Sequence, residues 1–489
     1  MSQVLDALIA HARAKPHAIA LSNGERSLTY PELLRAVEAA MEALRAATPA
    51  NLAGAPVAVH LDNSMTWVVL DLALVGLGWP SLPIPGFFTA SQSAHAVADC
   101  GAGLSISRTG EGFIVEICGE PLRLAMLDPS VATLPDGTAK ITYTSGSTGS
   151  PKGVCLSQAQ MEAVAGSLVE VIGADYAGLH LPILPLSILL ENVAGLYTTL
   201  LAGGRYHVLS PGEMGLANPF RPDLGQLARR IAGEGANSLI LVPELLRALL
   251  VFMGFSGTRF PDLSLVAVGG AKVAPRLLEQ AAALGLPVFE GYGLSECASV
   301  VALNTPRASK QGSVGKVLPH LSVSVDDTGE IVVGPRPFLG YAGGRSQWGP
   351  VRTGDLGALD ADGFLTISGR RGNLIINAYG RNISPEWVES ELTTQPEIRQ
   401  AVVFGEAQPD LSALLVPLMP DMDPAVVAAA VERANAALPE YARVRRWRLL
   451  PGFDAEAGEV TGNGRPRRAV LQARHHDFLE TADQRIPSP

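Results

Sequence analysis

The chain has 489 residues, 47% hydrophobic and 17% charged, with 37 basic against 47 acidic side chains and a formal charge of −10. A chain this long and this apolar builds a large core in roughly two to four domains, which excludes extended disorder. The acidic balance excludes the basic stripe of a nucleic-acid binder. In chain order, residues 1–16 predict an amphipathic helix rather than a secretion signal, because Asp6, His11 and Arg13 interrupt any apolar run. Helices are expected at 33–44 and 65–77 around a short strand at 57–61, an α/β alternation. The most apolar stretch, 67–88, carries Asp71 and is broken by Pro80, Pro83 and Pro85. It is expected to be a buried helix running into a loop, with no integral membrane segment.

The alternation resumes with strands at 239–242, 263–268 and 288–290 and helices at 243–252 and 274–284. Residues 313–340 read as a smaller β-rich unit with short strands at 321–325 and 330–333. Beyond Arg370 a compact α/β segment is expected. Its strands lie at 374–376, 401–404 and 413–416, with one helix opened by Ser384-Pro385 and another at 424–437. The polar tail after His476 is expected to fray. Cys100, Cys118, Cys155 and Cys297 form no CxxC pair and no disulfide framework, which points to a reducing cytoplasm.

The strongest local signal is Tyr143-Thr-Ser-Gly-Ser-Thr-Gly-Ser-Pro-Lys-Gly-Val154. Seven small residues, Thr144 to Ser150, follow a β-type run and precede Pro151-Lys152-Gly153. Small residues admit a ligand close to the backbone, and their N–H and hydroxyl groups can surround phosphate oxygens. The spacing is not that of a Walker A loop, since no Gly-Lys-Ser/Thr follows. Weaker signals are Glu290-Gly-Tyr-Gly-Leu-Ser-Glu296, Arg352-Thr-Gly-Asp-Leu-Gly357 and Gly369-Arg-Arg371. Tyr292 can stack on a base, Glu296 can hold Mg²⁺, and Asp355 can accept from ribose hydroxyls. Each also reads as an ordinary turn, and Asp355 as a turn residue bonding its own backbone.

Taken in order, YTSGSTGxPKGV, GYGLSE, TGDLG, GRxxxxI and NGxxxR resemble the AMP-forming adenylating superfamily of acyl-CoA ligases, peptide-synthetase adenylation domains and luciferases. Residues 28–44 and 76–86 fit the same pattern. The resemblance implies an α/β fold: a large multi-subdomain N-terminal α/β domain at 1–370 and a small mobile α/β C-terminal domain at 373–489, hinged at Gly372. It implies ATP-dependent activation of a small-molecule carboxylate to acyl-AMP, with Mg²⁺, and transfer to coenzyme A or a phosphopantetheinyl acyl carrier protein. It places Thr144, Ser145, Gly146, Ser147, Thr148, Gly149 and Lys152 around the phosphates. Gly270 and Ala271 border adenine, Tyr292 stacks on it, Gly293 belongs to the same nucleotide-binding motif, Ser295 meets the α-phosphate and Glu296 holds the metal. Asp355 and Arg370 bind the ribose.

Two departures from the family pattern matter. Ile188 stands where many acyl-CoA ligases carry an aromatic residue or His, and with Leu189 and Val193 it predicts an apolar acyl pocket; core packing explains the same leucines. The closing motif, Val460-Thr-Gly-Asn-Gly-Arg465, has Arg465 where the family's adenylating Lys is usual. The chain has six lysines against 31 arginines, and none after Lys316. Arg465 either substitutes for that Lys or marks slow adenylation, a planar fork being a poor copy of a point charge. The alternatives to thioester formation are capture by an amine or hydroxyl, and a nucleotide- or acyl-binding homologue that has lost catalysis.

Overall fold

The computed structural model describes residues 2–128, 133–144, 152–218, 222–344, 346–455, 457–461 and 464–480. Two large sheets carry most of the chain. In the nine-stranded sheet, Val288–Tyr292, Leu265–Val268, Ser238–Leu241, Leu179–His180, Arg205–His207 and Ile19–Ser22 run parallel, with antiparallel edges. In the eight-stranded sheet, Lys140–Thr144, Ser81–Pro83, Val57–His60 and Leu104–Ser107 form the parallel centre. Helices cover both faces of such sheets, so their central strands read as continuous apolar runs.

An antiparallel four-stranded sheet, Ser322–Val325, Glu330–Gly334, Val351–Leu359 and Leu365–Arg370, follows. The last unit has its own core of Ile383, Val388, Leu392, Val403, Leu415 and Val431, among others, all drawn from residues beyond 374. Its sheet of Ile398–Phe404, Leu411–Pro417 and Val444–Leu449 is backed by helices Pro385–Thr393 and Pro424–Ala436. Among the described residues no helix is long and apolar enough to cross a membrane.

Two local expectations fail. The proline-broken run after helix Met65–Leu77 is not a loop throughout, because Ser81–Pro83 enters the eight-stranded sheet. The ladder takes its donors between and after the prolines: Ser81 N–H donates to Ala139 O at 2.9 Å and Ile84 N–H to Val59 O at 2.9 Å. The start of the tail expected to fray after His476 is helical over His476–Glu480, while 481–489 lie outside the described residues. Arg446 and Arg448 lie 5.1 and 4.7 Å from the Phe478 ring centroid, and Arg446 also donates to Phe478 O.

A buried polar cluster ties three elements together. Lys140 opens the strand Lys140–Thr144, Asp71 projects from helix Met65–Leu77, and Asn192 and Tyr197 come from the π-helical turn Leu190–Tyr197. Lys140 Nζ donates to Asp71 Oδ1 at 2.7 Å, and each side chain is only 2% exposed. Lys140 Nζ also donates to Asn192 Oδ1, while Tyr197 Oη donates to Asp71 Oδ2 at 2.8 Å and Asn192 Nδ2 to the same oxygen at 3.1 Å. The ammonium lies 5.7 Å from the Trp67 ring and 5.3 Å from the Tyr197 ring. Burial lowers the Lys140 pKa and Asp71 opposes that shift.

Asp71→Ala leaves a buried ammonium without its anion. It is expected to cost about 3–5 kcal/mol, seen as a lower urea midpoint by tryptophan fluorescence, and Asp71→Leu with Lys140→Met recovers most of the loss. A second stability effect depends on pH. His320, held by a 2.8 Å hydrogen bond with Ser167, has its pKa pushed down to about 4 by burial. The unfolded chain takes up that proton near pH 6.5, so stability present above this value is lost as pH falls towards 4, by at most about 3 kcal/mol. The difference in stability between wild type and His320→Asn, measured from pH 7 to 4, is expected to shrink over that window.

Candidate active site

The small-residue loop joins two antiparallel strands, Lys140–Thr144 and Lys152–Leu156, with Thr144 opposite Lys152. Ser145, Gly146, Ser147, Thr148 and Gly149 lie outside the described residues. The loop thus leaves and re-enters at the end of one hairpin. Lys152 is exposed, with Nζ 5.7 Å from the Tyr341 ring centroid. Tyr341 belongs to the short strand Gly340–Tyr341, which pairs with the outer side of Lys152–Leu156. Its hydroxyl donates to Glu296 Oε1 at 2.9 Å. One tyrosine therefore contacts both the loop lysine and the candidate metal-binding carboxylate.

Glu296 sits on the short 3₁₀ turn Ser295–Cys297, beside Ser295. The strand before it is longer than expected, since Val288–Tyr292 includes Gly291 and Tyr292. Gly293 then makes a tight approach: a Cβ there would lie 1.5 Å from Ser299 O, so only glycine fits. Tyr292 Oη donates to Asp355 Oδ2 at 2.6 Å, and Arg370 Nε donates to Asp355 Oδ1 at 3.0 Å.

Asp355 is not in a turn, as its flanking glycines implied. It lies within the nine-residue strand Val351–Leu359, directly opposite Arg370 on Leu365–Arg370. Gly357 serves the sheet, since a Cβ there would lie 2.2 Å from Thr366 O, while Gly354 supplies a φ of +73°. Cross-strand pairing explains why TGDLG and GRR act together. Glu330, buried on the neighbouring strand, braces the pair: it accepts from Gly354 N–H at 3.0 Å and Arg371 Nη1 at 3.0 Å, and also from Arg352.

Gly270 follows the strand Leu265–Val268 at φ +85°, a backbone state that glycine supplies readily, with Ala271 next. Its carbonyl accepts from Arg465 Nη2 at 2.5 Å, across the boundary between the two parts of the chain. Arg465 is carried on a tight turn: Thr461 N–H donates to Arg465 O at 2.8 Å, Gly464 N–H to Thr461 O at 2.8 Å, and Arg465 N–H to Thr461 Oγ1 at 3.0 Å. Nearby, burial pushes the Glu290 carboxyl up to about 7 and lowers the Lys272 ammonium. Gly372 lies in the exposed turn after Arg370, where Asn373 and Leu374 N–H groups donate to Arg370 O at 3.0 and 3.1 Å. A Cβ at Gly372 would meet nothing within 4 Å, so space does not demand a glycine there.

Of the three predicted pocket residues, Leu189 and Val193 are buried in the largest hydrophobic core, and Ile188 is partly open. The segment carrying them is gripped by polar side chains. Asn63 Nδ2 donates to Leu184 O at 2.9 Å, and its Oδ1 accepts from Leu186 N–H at 2.7 Å. Glu191 accepts from Tyr206 Oη at 3.1 Å and pairs with His180 Nε2 at 2.9 Å. Sequence reasoning missed Tyr341, Glu330, Asn63 and Glu191. A Gly-Tyr pair and single polar residues are too short to stand out. The one usable signal was a charged residue inside an otherwise apolar run, as at Glu191.

The geometry therefore joins Lys152, Tyr341 and Glu296 in one chain of contacts, joins Tyr292, Asp355 and Arg370 in another, and brings Arg465 to Gly270 from the far end of the sequence. Comparison with known proteins fits that arrangement. The AMP-binding enzyme family matches residues 8–341, and the AMP-binding enzyme C-terminal domain matches residues 373–485. The long-chain-fatty-acid–CoA ligase FadD15 of Mycobacterium bovis is 27% identical over 88% of this chain and 88% of that protein. The 2-succinylbenzoate–CoA ligase of Geobacillus kaustophilus is 31% identical over 80% of this chain and 82% of that protein. The solved structure of the anthranilate CoA ligase AuaEII in complex with anthranoyl-AMP shares the fold, with a TM-score of 0.80 and 18% identity over 98% of each chain. The chain belongs to the AMP-binding enzyme family.

Proposed function

We propose that this chain is an AMP-forming acid–thiol ligase acting on a carboxylic acid with an apolar acyl chain. In the first step a carboxylate oxygen attacks the α-phosphorus of ATP. The bond from that phosphorus to the bridging oxygen breaks, so acyl-AMP forms and pyrophosphate leaves. In the second step the sulfur of coenzyme A, or of a phosphopantetheinyl carrier protein, attacks the acyl carbon, the thiol proton is lost and AMP departs. Residues 1–370 form the adenylating body and 373–489 a lid that pivots at Gly372.

The observation that supports this reading is convergence: motif residues as far apart in sequence as Gly270 and Arg465 are in hydrogen-bond contact. Phosphoryl-transfer catalysis is mostly positioning and charge neutralisation, and these side chains are of the right kind. Thr144, Ser145, Ser147, Thr148 and Lys152 hold the β,γ-phosphates, and Ser295 the α-phosphate. Tyr292 and the backbone of Gly270 and Ala271 enclose adenine, and Asp355 with Arg370 takes the ribose hydroxyls.

Mg²⁺ bound mainly through phosphate oxygens supplies further charge neutralisation. Glu296 fits it as the single carboxylate such a site requires, with Tyr341 fixing its orientation. Among the described residues no group of three or more His, Cys, Asp or Glu is placed to hold a metal. Arg465 faces the carboxylate and phosphate charge that builds up during the first step. The apolar acyl chain is inferred from Ile188 and its aliphatic neighbours, and from the fatty-acid ligase among the relatives.

The test is ATP–pyrophosphate exchange over a panel of fatty, aryl and amino acids. Exchange is expected with medium or long fatty acids, and silence across the whole panel overturns the proposal. Arg465→Ala is expected to lower exchange by about 10²–10³-fold and Arg465→Lys by no more than about 10-fold, in line with loss or retention of one preorganised cation. Full exchange in Arg465→Ala shows that this residue is a bystander.

A further inference from the structure

Arg247 lies on helix Pro243–Ser256, which follows the strand Ser238–Leu241 of the nine-stranded sheet. Its guanidinium crosses to the C-terminal unit and donates to backbone oxygens alone: Thr393 O, Ile398 O at 2.7 Å and Arg399 O at 2.9 Å. Thr393 is the last residue of helix Pro385–Thr393, where carbonyls lack intrahelical partners and the helix dipole is negative. Ile398 and Arg399 begin the strand Ile398–Phe404, which forms one edge of its sheet and so has carbonyls available to an outside donor. One planar cation thus reaches three backbone acceptors of the C-terminal unit, two of them at the irregularity between Ile398 and Gln400.

The gripped strand leads directly to Arg465. Its next residue, Gln400, donates from Nε2 to Gly464 O at 3.4 Å, and Gly464 precedes Arg465 in the tight turn. Arg465 then reaches Gly270 O at 2.5 Å. The path ends close to where it began, because a Cβ on Gly270 would lie 3.9 Å from Val242 Cγ1, at the foot of the helix that carries Arg247. Arg247 and Arg465 therefore fix the C-terminal unit to one short stretch of the N-terminal body at two points.

We propose that Arg247 is a positioning residue for adenylation: it docks the C-terminal unit so that the 461–465 turn presents Arg465 to the nucleotide edge. This rests on the assignment of Arg465 to the first step. Any other pose of the C-terminal unit forfeits the Arg247 contacts, so the residue biases the unit towards the adenylating pose and contributes nothing to thioester formation.

Two measurements test it. The first uses an acid that supports exchange. Arg247→Ala is expected to lower kcat for ATP–pyrophosphate exchange by about 10- to 100-fold with KM for ATP nearly unchanged, as fits the loss of hydrogen bonds from a charged donor. Thioester formation from preformed acyl-AMP and coenzyme A stays within about twofold. Arg247→Lys falls between, and Arg247→Ala with Arg465→Ala is no worse than Arg465→Ala alone, because both act along one path. Equal losses in both half-reactions reveal a general structural defect and overturn the proposal. Normal exchange in Arg247→Ala beside impaired exchange in Arg465→Ala overturns it too, while leaving the Arg465 assignment intact.

The second measurement needs no substrate. Trypsin cleavage after Arg371, in the exposed turn beside Gly372, is expected to be several-fold faster in Arg247→Ala and close to wild type in Arg247→Lys. An unchanged cleavage rate in Arg247→Ala overturns the proposal even if no acid supports exchange.

Discussion

A lysine ammonium taken out of water must find an anion or give up its charge, and Lys140 shows how much of this fold is arranged around that need. Its partner, Asp71, sits on helix Met65–Leu77, and the remaining acceptors and donors come from Asn192 and Tyr197 on the π-helical turn. Three elements remote in sequence are locked in one register by four side chains. A buried ion pair is weak evidence of net stability, because desolvation offsets most of the attraction. Its use here is specificity. The strand that starts at Lys140 ends at Thr144, where the small-residue loop begins, and the turn that carries Asn192 also carries Val193 and Glu191. The same cluster thus fixes the strand end from which that loop departs and the turn that follows Ile188.

How much of this was legible in the sequence depended on the range of the interaction. Period and caps gave the helix at 65–77 and the Ser384-Pro385 start, because these depend on residues a few positions apart. The TGDLG and GRR motifs, through the family resemblance, gave Asp355 and Arg370 as candidates. They misplaced Asp355 in a turn, since two flanking glycines look like punctuation. The opposing strand supplies a reason for Gly357, the carbonyl of Thr366 on a different segment, whereas Gly354 has open space and a φ of +73°. Ser81–Pro83 was read as loop for a similar cause: prolines argue against a strand until the neighbouring strands show which N–H groups are needed.

Tyr341, Glu330 and Arg247 were invisible for a stronger reason. Each acts on a partner that becomes a neighbour only after folding, and in the case of Arg247 the partners are backbone oxygens. Carbonyls have no sequence signature at all. Arg247 sits in an apolar helical run, and nothing in that run says that the C-terminal unit will cover it. Glu296 was found from its motif, but the tyrosine that orients it lies on a two-residue strand set by pairing with Lys152–Leu156.

The scarcity of lysine acquires a physical meaning at the boundary between the two parts. The six lysines hold specific contacts: Lys15 with Gly203 O, Lys140 with Asp71, Lys152 over Tyr341, Lys272 with Ile367 O, Lys310 with Asp360 and Lys316 over Phe364. All belong to the N-terminal part, and the C-terminal part contains none. Docking between the parts uses guanidinium groups on carbonyl oxygens, at Arg247 and again at Arg465, alongside the charges of Lys272 and Arg276, which act on Glu391 of the C-terminal part. A guanidinium is more weakly hydrated than an ammonium and spreads its donors in a fork, so it can leave water for a set of carbonyls and return at modest cost. Carbonyl acceptors carry no net charge, so breaking the contact leaves no buried anion unpaired. A joint that, on the proposed function, holds in one reaction step and releases in the next is better served by such contacts than by a buried ion pair of the Lys140–Asp71 kind. Arg465 and Arg247 share this kind of contact, and on the proposed assignment the change from Lys at position 465 keeps the charge but alters how the two parts engage.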